Sequence, residues 1–165
     1  RSALRARALS ADRIGRIMSQ VNQHLYRDTL VSEFATLFYG VFAAERRILT
    51  YVNAGHDPPL LLRGDSFREL DTGGTVIGVI PEAVFDEEVI DLEPGDVIVF
   101  YTDGVVDAMN FEGETFGRDR LRASIRKYRD AEAPTLAQQI KWDTRRFAGL
   151  APQTDDLTVV VARVV

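Results

Sequence analysis

Apolar residues recur at Ile14, Ile17, Met18, Val21 and Leu25, the spacing of one face of an amphipathic helix, with Ser10 placed to cap its start. Past that helix the pattern shortens. Positions 34–42 are apolar and aromatic except for Thr36 and Gly40 and read as a central strand. Glu45-Arg46-Arg47 is a polar turn, and 48–53 returns as the partner strand of a hairpin. Strands follow at 60–63, at 67–70 and, with an acidic outer character and solvated Glu87 and Glu88, at 84–92. Pro94-Gly95-Asp96 is a turn, because Pro presets φ and Gly accepts the left-handed region, and it opens the buried strand Val97-Ile98-Val99-Phe100-Tyr101. Two helices come next. The first carries Leu121, Ile125 and Tyr128 at i, i+4 and i+7; the second spans 135–147, with Pro134 at its start, Gly149 just past its end, and Leu136, Ile140 and Phe147 facing the core. A last strand begins at Val159 and runs to the end. About eight strand-like segments, one helix before them and two between the last pair, predict an α+β domain with a largely antiparallel sheet.

Composition narrows the function classes. The 165 residues fit one domain, and 45% hydrophobic with 27% charged residues is ordinary for a globular chain. A net charge of −5 and a pI near 5.1 argue against a nucleic-acid surface. No apolar run approaches the ~18 residues of a membrane helix, and the first residues lack the apolar stretch of a signal peptide. With no cysteine, disulfides, thiolate catalysis and cysteine-ligated metals are excluded, and a cytoplasmic location fits. The opening Arg1-Ser2-Ala3-Leu4-Arg5-Ala6-Arg7-Ala8-Leu9 reads as helix interior with no cap and no initiating Met, which predicts a piece of a longer protein.

Candidate chemistry sits at two acidic strand tips. Asp103 ends the strand 97–101, with Gly104 beside it to let backbone or ligand approach closely. Asp155-Asp156 precedes the last strand. If the two strands are antiparallel neighbours, these carboxylates share one sheet edge, where they repel unless a cation or proton sits between them. Oxygen ligands of this kind suit Mg²⁺ or Mn²⁺ with several waters retained. Asp is also common at turns for local hydrogen-bonding reasons, so either tip alone is weak. In Asn53-Ala54-Gly55-His56-Asp57-Pro58-Pro59, His56 and Asp57 suit phosphate or acid–base chemistry, while Asn53 and His56 equally suit ties within the turn. His24, with no second ligand near it in sequence, reads as structural. Gly73-Gly74 opens a glycine-rich loop without the Gly-Lys-Ser/Thr of a phosphate-cradling loop.

Taken together and in order, Phe34-Ala35-Thr36-Leu37-Phe38-Tyr39-Gly40, the 53–59 motif, Leu92-Glu93-Pro94-Gly95-Asp96, Tyr101-Thr102-Asp103-Gly104-Val105-Val106-Asp107-Ala108, Phe116-Gly117 and Asp155-Asp156-Leu157-Thr158 resemble the SpoIIE/RsbU-type serine/threonine phosphatases. These are metal-dependent protein phosphatases with the protein phosphatase 2C fold. The resemblance implies a central β-sandwich flanked by helices, with two divalent cations, Mn²⁺ or Mg²⁺, at one end. Asp103 with Gly104 matches the metal-ligand Thr-Asp-Gly motif, and Asp155, with Asp156 as its neighbour, matches the ligand before the last strand. Asp107 falls where relatives carry a further acidic residue. Asn53, Gly55 and His56 belong to a family motif without an assigned role. The implied reaction is attack of a metal-bridging water on phosphoserine or phosphothreonine, with a phosphorylated STAS-type anti-sigma-factor antagonist as substrate.

One family element is missing from this sequence. Relatives carry an upstream Gly-Asp-Val-x-Gly-x-Gly motif whose Asp bridges both metals, whereas residues 1–30 hold only Asp12 and Asp28, neither followed by those glycines. The expectation is an N-terminally incomplete phosphatase domain, missing its N-terminal strands, with little or no turnover alone. The alternative is an inactive or truncated module that binds a partner or dimerises. Sheet edge left bare by missing strands predicts a homodimer.

Overall fold

In a computed structural model the described residues are 13–28, 33–153 and 155–165. The predicted cap Ser10 and the opening residues lie outside them. The chain divides into two compact units, 1–58 with 70–92, and 59–69 with 93–165. Among the described residues no helix is long and apolar enough to cross a membrane.

The first unit is built on helix α1 (Ile14–Asp28) and a four-stranded sheet. Strand β1 (Leu37–Ala43) and strand β2 (Ile48–Ala54) form the expected antiparallel hairpin, Leu37 opposite Ala54 and Ala43 opposite Ile48, closed by a 3₁₀ turn at Ala44–Arg46. The strand starts later than its apolar run: Ala35 makes only an isolated bridge to Ile77. Ile14, Ile17 and Met18 of α1 pack with Val52, Ala54, Ile77 and Phe85, and Val21 and Leu25 flank that core, as the stripe predicts.

Three polar side chains tie this unit together, and two of them, Glu87 and Glu88, depart from the sequence reading. Asn22 is fully buried beside the apolar stripe. Its amide nitrogen donates to the carbonyls of Ile80 (2.7 Å) and Pro81 (3.3 Å), and its oxygen accepts from the Gly78 amide (2.8 Å). One side chain thus satisfies three backbone groups of the 78–81 loop, which has no sheet partners to do so. Glu88, expected to be solvated, accepts from the hydroxyls of Tyr51 and of Thr72. Burial and the bond to Glu88 raise the Tyr51 pKa above its ordinary value. The expected outer strand at 84–92 shortens to β6 (Glu88–Asp91), which runs antiparallel to β2. Glu87 likewise leaves solvent, accepting from the Gly15 amide at 3.1 Å.

The second unit holds a sheet in the order β4 (Ser66–Glu69), β3 (Leu60–Arg63), β7 (Val97–Tyr101), β8 (Val159–Arg163), all antiparallel. The remaining strand, β5 (Gly73–Gly74), belongs to the first sheet and pairs in parallel with Asn53 and Ala54. The short helix α2 (Asp103–Val106) follows β7, and α3 (Gly117–Lys127) and α4 (Ala133–Ala148) intervene before β8. Val97, Val99 and Tyr101 alternate onto one face of β7 and join Leu121, Ile125, Leu136 and Ile140 in one core. Phe147 meets Phe116 edge-on at 5.6 Å, under the guanidinium of Arg120.

At the start of β7, Asp96 is 1% exposed. It accepts two bonds from Arg63 (2.9 and 2.6 Å) and one from the Glu93 amide (2.8 Å). A buried carboxylate is tolerated here because a bidentate partner and a backbone donor meet it.

Replacing Asn22 by Ala removes the side-chain partner of the buried Gly78 amide and of the Pro81 carbonyl, while the Ile80 carbonyl keeps its bond from the Ala83 amide. The expected cost is about 2–4 kcal/mol, read as a lowered midpoint in urea denaturation. An unchanged midpoint would show that water replaces the side chain.

Candidate metal centre

The antiparallel pairing of β7 with β8 sets Tyr101 opposite Val159. Continuing that register one step past the strands brings Thr102 beside Thr158, and the Thr102 amide donates to the Thr158 carbonyl at 3.2 Å. The Thr102 hydroxyl then does double duty. It donates to the Asp156 carbonyl at 2.9 Å and accepts from the Thr158 amide at 3.1 Å. Thr102 therefore fastens the segment after β7 to the segment before β8. The sequence reading quoted Thr102 only as part of a motif; a Thr at a strand end carries no local sign of this bond.

Gly104 completes the junction. A Cβ at this position would lie 2.4 Å from the Asp156 carbonyl oxygen and 3.4 Å from that of Asp155, so only hydrogen fits. The contact is backbone against backbone. It holds Asp103 and the Asp155-Asp156 pair at one end of the sheet, where the sequence expected them to meet if the strands were neighbours.

The carboxylates are arranged as follows. Asp103 is exposed at the start of α2, and its Oδ1 accepts from the Gly104 amide at 2.9 Å. Its carbonyl accepts from the Asp107 amide at 2.8 Å, which sets exposed Asp107 one turn further along. Asp155 and Asp156 are exposed, and the Asp155 Oδ1 accepts from the Asp156 amide at 2.7 Å. Among the described residues none of these four carboxylates forms an ion pair with a protein cation.

This donor set consists of carboxylates on solvent-exposed residues, the chemistry that Mg²⁺ and Mn²⁺ prefer. It falls short in number. Among the described residues no three His, Cys, Asp or Glu side chains converge closely enough to hold an ion. The residues fit part of a hard-cation site.

The other motif lies in the first unit. The Asn53 amide donates to the carbonyls of His56 (2.9 Å) and Leu70 (3.2 Å), and its oxygen accepts from the His56 amide (2.8 Å). Gly55 supplies the positive φ of 72° that this tight turn needs. Asn53 is thus engaged as a tie of the turn, and the His56 ring rests 3.4 Å from the Thr36 hydroxyl. His24 is exposed on α1.

The family model for stage II sporulation protein E (SpoIIE) matches residues 1–165. The chain belongs to this family of protein phosphatases. Among curated relatives it is 34% identical over 128 residues to Protein IcfG of Synechocystis sp., covering 77% of this chain and 20% of that protein. It is 26% identical over 149 residues to Phosphoserine phosphatase RsbU of Bacillus subtilis, covering 89% and 44%. It therefore spans less than half the length of either. Among solved structures, the SiaA-PP2C domain of Pseudomonas aeruginosa superposes with a TM-score of 0.82 at 23% identity, covering 98% of this chain and 64% of that one. The phosphatase domain of SpoIIE from Bacillus subtilis, from manganese-presoaked material, gives 0.68 at 20% identity, covering 99% and 70%. The SpoIIE-family chain has the expected α+β phosphatase fold with largely antiparallel sheets.

Gly104→Ala is the sharpest test of the junction. The added methyl must push the Asp156 backbone away, with an expected cost of about 1–3 kcal/mol in thermal or urea unfolding. Gly113→Ala, at a position where a Cβ meets nothing within 4 Å, controls for a general glycine effect, although its positive φ of 80° adds strain of its own. No destabilisation by Gly104→Ala would contradict the close approach.

Proposed function

We propose that this chain is part of a metal-dependent serine/threonine phosphatase whose cations are held in part by Asp103, Asp155 and Asp156, with Asp107 alongside. The observation that carries the reading is the Gly104 close approach, which holds two unpaired acidic tips at one sheet end in a chain of the SpoIIE family. Divalent cations bound there supply neutralisation of phosphoryl charge and a lowered water pKa. The chain's own part is positional. Thr102 and Gly104 fix the spacing of the carboxylates, and the carboxylates would hold the cations on which a phosphoserine or phosphothreonine and an attacking water would be positioned. No protein nucleophile is needed, which suits a chain without cysteine. The substrate we infer is a phosphorylated anti-sigma-factor antagonist of the STAS type, a reading supported by the similarity to RsbU, a phosphoserine phosphatase.

The donor count sets the expected behaviour. Because, among the described residues, no three acidic or imidazole side chains converge closely enough to hold an ion, this chain alone binds Mn²⁺ weakly and turns over little phosphoprotein. Calorimetric titration with Mn²⁺ should show binding that Asp103→Asn abolishes. Binding unaffected by Asp103→Asn, or phosphate release as fast as that of RsbU, would overturn this assignment.

A second reading has its own observation. Among the described residues β1 pairs on one side only, with β2, and its exposed end carries Val41 (44%) and Phe42 (47%). An open edge with apolar side chains favours pairing with a second copy. Light scattering at micromolar concentration should give the dimer mass, and a monomer mass would rule this out.

A further inference from the structure

The second unit contains a cleft of about 240 Å³ between α2, the last turn of α4 and the loop before β8. Gly104 and Asp155 are among its lining residues, so it adjoins the candidate metal centre, and Met109, Ala148 and Arg145 line it as well. At that volume it is smaller than the ~300 Å³ at which small-molecule pockets begin, so it suits one or two side chains of an extended peptide better than a cofactor.

The arginines of this unit fall into two groups, and Arg146 beside Arg145 is exposed as well. Arg63, Arg118, Arg120, Arg122 and Arg129 each meet a carboxylate. Arg145 is exposed on α4 and, among the described residues, has no ion pair. Beside it on the exposed face of α4 lies Trp142, 63% exposed, three residues earlier. An unpaired Arg with an exposed Trp on one helix face is the residue pairing enriched at recognition surfaces.

We propose that this cleft is a specificity subsite for the residue flanking the phosphorylated one, and that Arg145 selects an acidic side chain there. The inference rests on the phosphatase reading, which places the phosphoryl group at the Asp103 and Asp155 end. An extended peptide leaving that end along the cleft lays its next side chain against Met109 and Ala148. A Glu at that position carries an apolar stem for the walls and a carboxylate for the guanidinium. A Lys there meets like charge instead. Arg145 thus acts through selectivity and not through the chemical step.

The test uses two phosphoserine peptides identical except for Glu or Lys beside the phosphoserine, titrated in the presence of Mn²⁺. Emission of Trp142, the single tryptophan of the chain, reports binding. The Glu peptide should bind about fivefold more tightly, from attraction in one case and repulsion in the other. Arg145→Glu should remove or reverse that preference at an unchanged melting temperature, and Arg145→Lys should keep most of it. Ala148→Phe, which fills the cleft, should weaken the Glu peptide. Equal affinities in the unmodified protein, a preference unchanged by Arg145→Glu, or no binding of either peptide would overturn the subsite. Mn²⁺ calorimetry on the same samples separates the two failures. Intact, Asp103-dependent Mn²⁺ binding with no peptide preference removes the subsite alone, and loss of Mn²⁺ binding removes the phosphatase reading beneath it.

Discussion

The backbone contact between Gly104 and the Asp155-Asp156 segment is the constraint on which the candidate site depends. Two strands far apart in sequence, β7 and β8, are brought together by a ladder of hydrogen bonds and by the valines of the shared core. That pairing alone leaves their ends free to splay. The missing Cβ at Gly104 and the double bond of the Thr102 hydroxyl remove that freedom. Like charges at Asp103, Asp155 and Asp156 work against the junction, and among the described residues no cationic side chain pairs with them. On the proposed reading, a hard divalent ion bound there would offset that repulsion. Stability and the proposed function would then be in opposition at one place.

Each unit solves its polar accounting with a few buried side chains. In the first, Asn22 satisfies a loop that no strand pairs, and Glu88 gathers the hydroxyls of Tyr51 and Thr72. In the second, Asp96 gathers Arg63 and the Glu93 amide at the end of β7 away from the acidic tips. These groups are structural: each is matched by partners within hydrogen-bond reach. The contrast with Asp103, Asp107, Asp155 and Asp156, which among the described residues have no cationic partner, is what separates candidate ligands from the ordinary carboxylates of the fold. The same contrast separates Arg145 from the paired arginines of α3.

Much of this was legible in the sequence where the signal is local or periodic. The stripe Ile14, Ile17, Met18, Val21 and Leu25 marks α1, and Pro134 and Gly149 bracket α4 almost to the residue. The sequence posed the pairing of β7 with β8 only as a condition for their acidic tips to meet, and the structure meets that condition. What the sequence hides are bonds made by polar side chains over long separations. Asn22 looks like a break in an apolar stripe, and nothing near it announces partners 56 to 59 residues away. Glu87 and Glu88 look like solvated charges on an outer strand until Gly15 and Tyr51 arrive from elsewhere. Helix α2 is too short for periodicity to show, so Asp107 could be placed by motif but not by geometry. The cleft beside it needs α4, the 151–157 loop and α2 together, and no linear pattern contains all three.

The most direct test of the account is the location of bound Mn²⁺ by its paramagnetic broadening of amide resonances in the isotope-labelled protein. The account predicts that substoichiometric Mn²⁺ broadens the amides of Asp103, Gly104, Asp107, Asp155 and Asp156 first, while those around Asp96, at the far end of β7, stay sharp. Broadening centred on Asp96, or spread evenly over the acidic surface, would contradict it.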